Sequence, residues 1–425
     1  MKKILGLDFS HFRGDLLGGI TAGIVALPLA LAFGLQSGLG ATAGLYGAIF
    51  ISFFAALFGG TETQISGPTA PMTAVSMVVI ATILASNEGD ISRAMPTILM
   101  VFLLAGLIQI GLGFMKVGQY IRYIPYPVVS GFMTGIGVII LITQLLPVMG
   151  YYPKEDAEYV QTFVPQAEEL ILEKILREEA GEKILVLEDF KETIARAEQI
   201  LPENIQKEAA ALAAKNAGGV MGSLRLFGRA IRNINYIDLI LSLLTIFIIY
   251  GFKRITTAVP STLVALLLVS AGAYFFLPEY RTIGEIPSGF PGFYGDTILA
   301  GFSFSQLAPY ILTAASLAAL GAIDSLLTSI VADNKTKTRH NPNKELVGQG
   351  IGNSIAALFG GLPGAGATIR TVVNIDAGGK TRVSGMIAGV LLLLILLSLG
   401  GVAEKIPAAV LAGILVTVGI GVMDY

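Results

Sequence analysis

The sequence holds no cysteine and only two histidines, His11 and His340, among 425 residues. The first absence excludes disulfides and thiolate metal centres, and the two together exclude a cysteine- or histidine-rich metal site. They leave the redox compartment open. Charge is scarce as well: 14% of residues are charged and 54% hydrophobic, with a mean hydropathy of +0.73. Soluble domains carry about 25% charged residues, so charge this sparse does not cover a globule of such length. The net charge of −2 says little about partners, because half of the 30 acidic residues fall between Glu155 and Glu208. With no nucleophile beside a base and no metal ligand set in view, an embedded enzyme is the least favoured reading.

What the chain has instead is apolar runs of the length, about 20 residues, that crosses ~30 Å of hydrocarbon. They fall at 15–36, 41–58, 67–86, 96–115, 125–149, 236–252, 258–277, 303–331, 346–360, 367–377, 383–400 and 406–422. The pattern predicts an all-α polytopic membrane protein. Residues 1–150 carry spans one to five, 151–235 form a soluble extramembrane insert, and 236–425 carry spans six to twelve with the second-repeat core. The start, with Met1-Lys2-Lys3, Asp8, His11, Arg13 and Asp15 ahead of the first run, shows no small-residue cleavage site, so no cleaved signal peptide is expected. Lys2, Lys3 and Arg13, Lys116 and Arg122, Lys253 and Arg254, Lys335 to Lys344, and Lys380 with Arg382 fall on one side when spans alternate. That side is read as cytoplasmic, which gives a multi-pass protein of the inner (plasma) membrane with its N-terminus inside.

Within the insert, Gln166–Ala180 and Phe190–Ile200 read as amphipathic helices. Arg225, Arg229 and Arg232 recur at helical spacing with Leu224, Phe227 and Ile231, as in an interfacial helix. A solvated cap packed on neighbouring loops is the plainer reading and the favoured one.

The hexapeptide Ala55-Ala56-Leu57-Phe58-Gly59-Gly60 recurs letter for letter at Ala356-Ala357-Leu358-Phe359-Gly360-Gly361, and each copy runs into a Gly/Thr-rich stretch inside apolar sequence. Related halves with interrupted helices are how many transporters build a site at the bilayer midplane. A helix starting inside the membrane exposes unpaired N–H groups and roughly +0.5 charge at its first turn, so two facing starts make an anion site. Ser66-Gly67-Pro68-Thr69, ahead of Ala70, suits this. Pro68 in the first turn lacks the N–H that would be orphaned, Gly67 allows close approach, and Ser66 or Thr69 supplies a hydroxyl. Gly364-Ala365-Gly366-Ala367-Thr368 does the same without proline. Such small residues suit a compact, multi-oxygen anion; tight helix crossing is the plainer alternative.

Asp324 stands deep in the apolar run Leu317–Val331, where a charged carboxylate costs at least ~2.5 kcal/mol. A proton, a sodium ion or Arg370 could neutralise it. Thr328, at i+4, shares its helix face. Asp324, Thr328, Thr368 and the carbonyl of Gly366 offer only oxygens, the donors that hard cations prefer. Arg370, just past the second break, either binds the anion or holds Asp324; a purely structural pair is the alternative. Glu62 reads as a solvated boundary residue. Gly378-Gly379-Lys380-Thr381 lacks the first glycine of a phosphate loop, having Asn374 there, so Lys380 and Arg382 read as cytoplasmic anchors. The run Asn334–Asn343 reads as a short cytoplasmic loop rather than a nucleic-acid site, and no nucleic-acid partner is expected.

Gly14-Asp15-Leu16-Leu17-Gly18-Gly19-Ile20-Thr21-Ala22-Gly23, Ala43-Gly44-Leu45-Tyr46-Gly47, Gln64 to Thr73, and Asn343-Lys344-Glu345-Leu346-Val347-Gly348-Gln349-Gly350-Ile351-Gly352-Asn353 resemble the sulfate permease (SulP) family of anion transporters, cyanobacterial sodium-dependent bicarbonate transporters included. The resemblance implies a 7+7 inverted repeat with core and gate domains, interrupted helices 3 and 10, elevator-like motion and a homodimer. It implies that Asp324, Thr328, Gly366 and Thr368 form a sodium site and that Thr69, Ala367 and Thr368 contact the anion; with Ser66, Ala70 and Arg370 these make the expected anion-binding set. Arg370 departs from the bicarbonate members, which carry Gly there, and matches sulfate-transporting relatives, which are often proton-coupled. Family members continue beyond the equivalent of Val422–Tyr425 into two more spans and a STAS domain.

The resulting expectation is a secondary active importer of bicarbonate or sulfate, coupled to sodium or protons through Asp324, with an inorganic anion, a coupling cation and membrane lipid as partners. No cofactor is expected beyond a bound sodium ion. A passive anion channel or exchanger is the rival, and a nucleobase permease of the same architecture a further one.

Overall fold

The computed structural model describes residues 3–4, 7–87, 90–121, 126–171, 202–256, 259–277, 279–284, 286, 289–300 and 307–423. The expected helix Phe190–Ile200, residues 172–180 of Gln166–Ala180, Lys2, Arg122 and residues 303–306 of the eighth span lie outside the described residues.

Every expected span coincides with a helix. These are α1 (Phe12–Ser37), α2 (Ala41–Phe58), α3 (Ala70–Ser86), α4 (Ile91–Phe114), α5 (Tyr126–Val148), α9 (Tyr236–Ile255), α10 (Ser261–Phe276), α11 (Ile311–Thr336), α12 (Pro342–Leu358), α13 (Thr368–Asp376), α14 (Val383–Ala403) and α15 (Ala408–Val422). Between α5 and α9 lie α6 (Ala157–Gln161), α7 (Pro202–Asn216) and α8 (Gly219–Arg232). Among the described residues six helices are long and apolar enough to cross a membrane, with shorter apolar helices beside them.

The long helices close their ends in ordinary ways. Asp90, Asn235 and Asn341 accept backbone N–H bonds at the starts of α4, α9 and α12, and Gly38 ends α1 in the left-handed conformation at φ 89°. At the starts of α3 and α13 neither N-cap side chain, Thr69 or Ala367, bonds its own first turn. At nine residues α13 is about 14 Å long, roughly half a hydrocarbon core.

Two groups of helices pack internally: α1, α2, α4, α11, α12 and α14 in one, and α5, α9, α10 and α15 in the other. Small residues set the spacing in the first. A Cβ on Gly350 of α12 would come within 2.6 Å of the Gly106 carbonyl oxygen of α4, so the two backbones touch directly.

The repeated hexapeptide ends a helix in both places, α2 at Phe58 and α12 at Leu358. Each is followed by a loop, a two-residue strand, β3 (Ser66–Gly67) or β4 (Ala365–Gly366), and then a new helix. β3 and β4 pair antiparallel, Ser66 opposite Gly366 and Gly67 opposite Ala365. The helices that follow therefore start from opposite ends of one short ladder. The only other strands among the described residues are β1 (Lys3–Ile4) and β2 (Leu7–Asp8), paired near the N-terminus.

Candidate functional site

Bringing the ladder together requires bare backbone. A Cβ on Gly364 would lie 2.6 Å from the Pro68 nitrogen and closer still to the Gly67 carbonyl. Asn353 of α12 then clamps Gly364 on both sides, its Oδ1 accepting the Gly364 N–H at 2.8 Å and its Nδ2 donating to the Gly364 carbonyl at 3.0 Å. Opposite, the Ser52 hydroxyl donates to the Ser66 carbonyl at 2.6 Å.

One helix reaches both breaks. On α11, Asp324 Oδ2 accepts the Thr69 hydroxyl at 2.7 Å, so the first break's cap residue faces the carboxylate. One turn on, the Thr328 hydroxyl donates to the Gly366 carbonyl at 2.9 Å and lies 2.8 Å from Thr368 Oγ1. Ser325 Oγ accepts the Gly366 N–H at 3.1 Å. Asp324 retains 8% exposure and Thr328 none, while Thr368 is exposed. Asp324, Thr328, Gly366 and Thr368, singled out separately in the sequence, are thus joined around one turn of α11. Their carboxylate, hydroxyl and carbonyl oxygens are the chemistry a hard monovalent cation accepts.

Arg370 lies in the first turn of α13 at 1% exposure. Its Nη2 donates to the Pro68 carbonyl at 3.0 Å, tying the second helix to the first break. Among the described residues Nε and Nη1 have no hydrogen-bond partner and no carboxylate stands within 4.0 Å, Asp324 included, which corrects the expectation that Arg370 could hold Asp324. A buried cation with two open donors is costly unless something negative answers it.

Other expectations shift in detail. Helix α3 begins at Ala70, so its first-turn proline is Pro71, and Pro68 sits outside the helix in the extended segment. Both prolines satisfy the local pattern; the ladder decides between them. The Ser66 hydroxyl is turned to α12, accepting from Gln349 Nε2 at 2.6 Å. The Ala367 N–H is already used, donating to the Ile65 carbonyl at 2.8 Å, so the open donors of the second break begin at Thr368. The Arg382 guanidinium donates to the Leu57 carbonyl at 3.1 Å and closes the end of α2, with Glu62 3.7 Å away as an exposed counter-charge. Asp15 is fully buried and accepts the backbone N–H groups of Lys380 and Thr381.

Sequence reasoning passed over the scaffold behind the ladder. Glu345, 2% exposed, collects four donors at 2.8 Å: the N–H groups of Gly60 and Thr61, Gln64 Nε2 and Gln349 Nε2. Gln64 in turn accepts from Ser329 of α11. The signal available was the alternation Asp324, Ser325, Thr328, Ser329, a polar stripe at i, i+1, i+4, i+5 in an apolar helix.

The comparisons agree with this architecture. The description "Sulfate permease family" matches residues 12–172 and 199–425. The bicarbonate transporter BicA of Synechocystis sp. is 40% identical over 423 residues, 99% of this chain, and the putative sulfate transporter YvdB of Bacillus subtilis is 28% identical over 85% of it. The chain spans 63% of the length of that BicA and 56% of YvdB. A solved transmembrane domain of a cyanobacterial BicA superposes with a TM-score of 0.79 at 39% identity, covering 99% of this chain and 91% of the other. The structure of SLC26A9 shares the fold, with a TM-score of 0.69 at 20% identity over 97% of this chain and 58% of its own. These relatives are transporters, not enzymes. With a multi-pass helical fold, matched breaks joined in one ladder and identity running nearly end to end, the chain belongs to the sulfate permease family.

Proposed function

We propose that this chain imports a small inorganic oxyanion, bicarbonate or sulfate, by secondary active transport coupled to sodium or protons. The observation that carries the reading is the β3–β4 ladder, which sets two helix starts without side-chain caps beside Asp324. Each start contributes about half a positive charge and unpaired N–H donors. Thr69 and Ala70 on one side and Ala367, Thr368 and Arg370 on the other would line the anion; the open Nε and Nη1 of Arg370 support direct contact. Ser66 stays in the scaffold through Gln349.

Asp324 opposes anion binding while charged. Like charges about 5 Å apart at an effective dielectric of ~20 repel by about 3 kcal/mol. A cation on Asp324, Thr328, Thr368 and the Gly366 carbonyl removes that repulsion, so anion and cation bind together. A core of α1–α4 and α11–α14 then moves as an elevator against a gate of α5, α9, α10 and α15. Support comes from the activities for which the relatives are named, bicarbonate transport for BicA and putative sulfate transport for YvdB.

The test is uptake of labelled bicarbonate and of labelled sulfate into proteoliposomes, with a sodium gradient, a proton gradient or neither. Accumulation of one anion under one gradient is expected. Anion flux indifferent to both gradients would replace the proposal with a passive channel.

A further inference from the structure

Helix α8 is amphipathic in the wrong sense for a helix facing water. Its inner face, Gly222, Ser223, Leu226 and Ala230, is buried, and Leu226 and Ala230 rest against Leu146 at the end of α5, Tyr151 and Ala217. Arg229 leaves from the side of the helix and binds Asp156 and Glu158, which fixes α8 on the segment that follows α5. A surface helix seated this way presents polar residues outward. Here the outward face carries Met221 at 72% exposure and Leu224 and Ile231 at 49% each. Exposed Arg225 and Arg232 stand among them and form no ion pair among the described residues.

Two further observations say what covers this face. Three residues after α8 ends, α9 begins, and its own outward residues, Tyr236 at 71%, Ile240 at 62% and Phe247 at 74%, belong to a helix long and apolar enough to cross a bilayer. The exposed apolar face of α8 therefore sits next in sequence to a helix long and apolar enough to span a bilayer. The charges that interrupt it are both cationic, the complement of phosphate headgroups.

We propose that α8 lies in the bilayer interface, with Met221, Leu224 and Ile231 against acyl chains and Arg225 and Arg232 on the phosphates of anionic lipids. An interfacial helix buries its apolar face to about 5–10 Å. The insert is then held to the membrane surface as well as to the end of α5.

The chain contains no tryptophan, so one introduced indole reports alone. Leu224→Trp in the full chain is reconstituted into phosphatidylcholine vesicles with and without phosphatidylglycerol, and into the same vesicles carrying dibrominated acyl chains. Ala211→Trp, at an exposed position of α7, is the water-facing control. The expected result is blue-shifted emission from Leu224→Trp that loses most of its intensity to brominated lipid, while the control emits to the red and keeps its intensity. Adding Arg225→Gln and Arg232→Gln should abolish the extra quenching that phosphatidylglycerol brings. Emission as red and as open to iodide as the control would overturn the proposal. So would blue emission that brominated lipid leaves untouched, since protein would then cover the face. Quenching that never responds to phosphatidylglycerol would remove the arginines from it. Met221→Trp, on the same face, keeps the measurement available if Leu224→Trp fails to fold.

Discussion

The two helix breaks share a backbone plan and differ in charge. At the first, Thr69 ends the extended segment and gives its hydroxyl to Asp324. At the second, Ala367 offers no hydroxyl, Thr368 is shared with Thr328, and Arg370 brings a buried guanidinium. A negative group thus faces one start and a positive group grows from the other. Repetition supplies the geometry, and divergence supplies two opposite charges beside it.

The comparison breaks most completely at its clamp. Asn353→Ala leaves the N–H and carbonyl of Gly364 buried and unpaired, at about 1–3 kcal/mol each. Ser52→Ala at the first break removes one bond, so thermal unfolding in detergent should fall far more for Asn353→Ala. Equal losses would show that the two breaks are held alike.

Next in size is Asp324→Asn, which removes the negative side altogether. Relief of about 3 kcal/mol of repulsion corresponds to roughly 100-fold in coupling, so uptake should lose its dependence on the cation gradient. Gradient-driven uptake at the original level would take Asp324 out of the mechanism.

Arg370→Gly removes the positive side. A hydrogen bond to a charged group contributes about 1.5–3 kcal/mol, so sulfate affinity should fall about tenfold or more, with bicarbonate less affected. Isothermal titration with each anion checks this.

Thr328→Ala sharpens the comparison, because it cuts the Thr328 contacts to the second break, leaves the Ser325 bond to Gly366, and spares the first break. A neutral bond contributes about 1 kcal/mol, so sodium dependence should weaken several-fold with little change in thermal stability.

The smallest effect lies outside the membrane. Hydrogen bonds from Arg229 hold the Asp156 carboxyl well below its usual range, outweighing the opposing effect of burial. A group whose pKa is lowered on folding stabilises above its unfolded value, about 3.9, and loses that contribution as pH falls toward the folded value. Hydrogen exchange across residues 151–171 should therefore speed up as pH drops below about 4, adjusted for intrinsic rates, and Asp156→Asn should flatten the response.

Much of this was legible because each signal was local. Hydropathy placed most helix ends within about five residues, since the cost of charge in hydrocarbon admits few alternatives, although α11 begins at Ile311 rather than 303. Asp324 and Thr328 announced themselves as polar residues in an apolar run. What escaped notice depends mostly on contacts across some three hundred residues: the ladder itself, Glu345 gathering donors from the end of α2, and Arg370 finding Pro68 rather than Asp324. Glu345 looked like an ordinary first-turn acid of a polar helix start, and no periodicity distinguishes that from a buried hub. The choice between Pro68 and Pro71 likewise needed the strand pairing, because either proline suits a helix start.

Because α11 grips the first junction through Asp324 and the second through Ser325 and Thr328, neither can shift without dragging the other. Any ion that tightens or loosens that single turn changes both faces of the cradle in one stroke. The proposed site is therefore a rigid pair of jaws rather than two independent fingers.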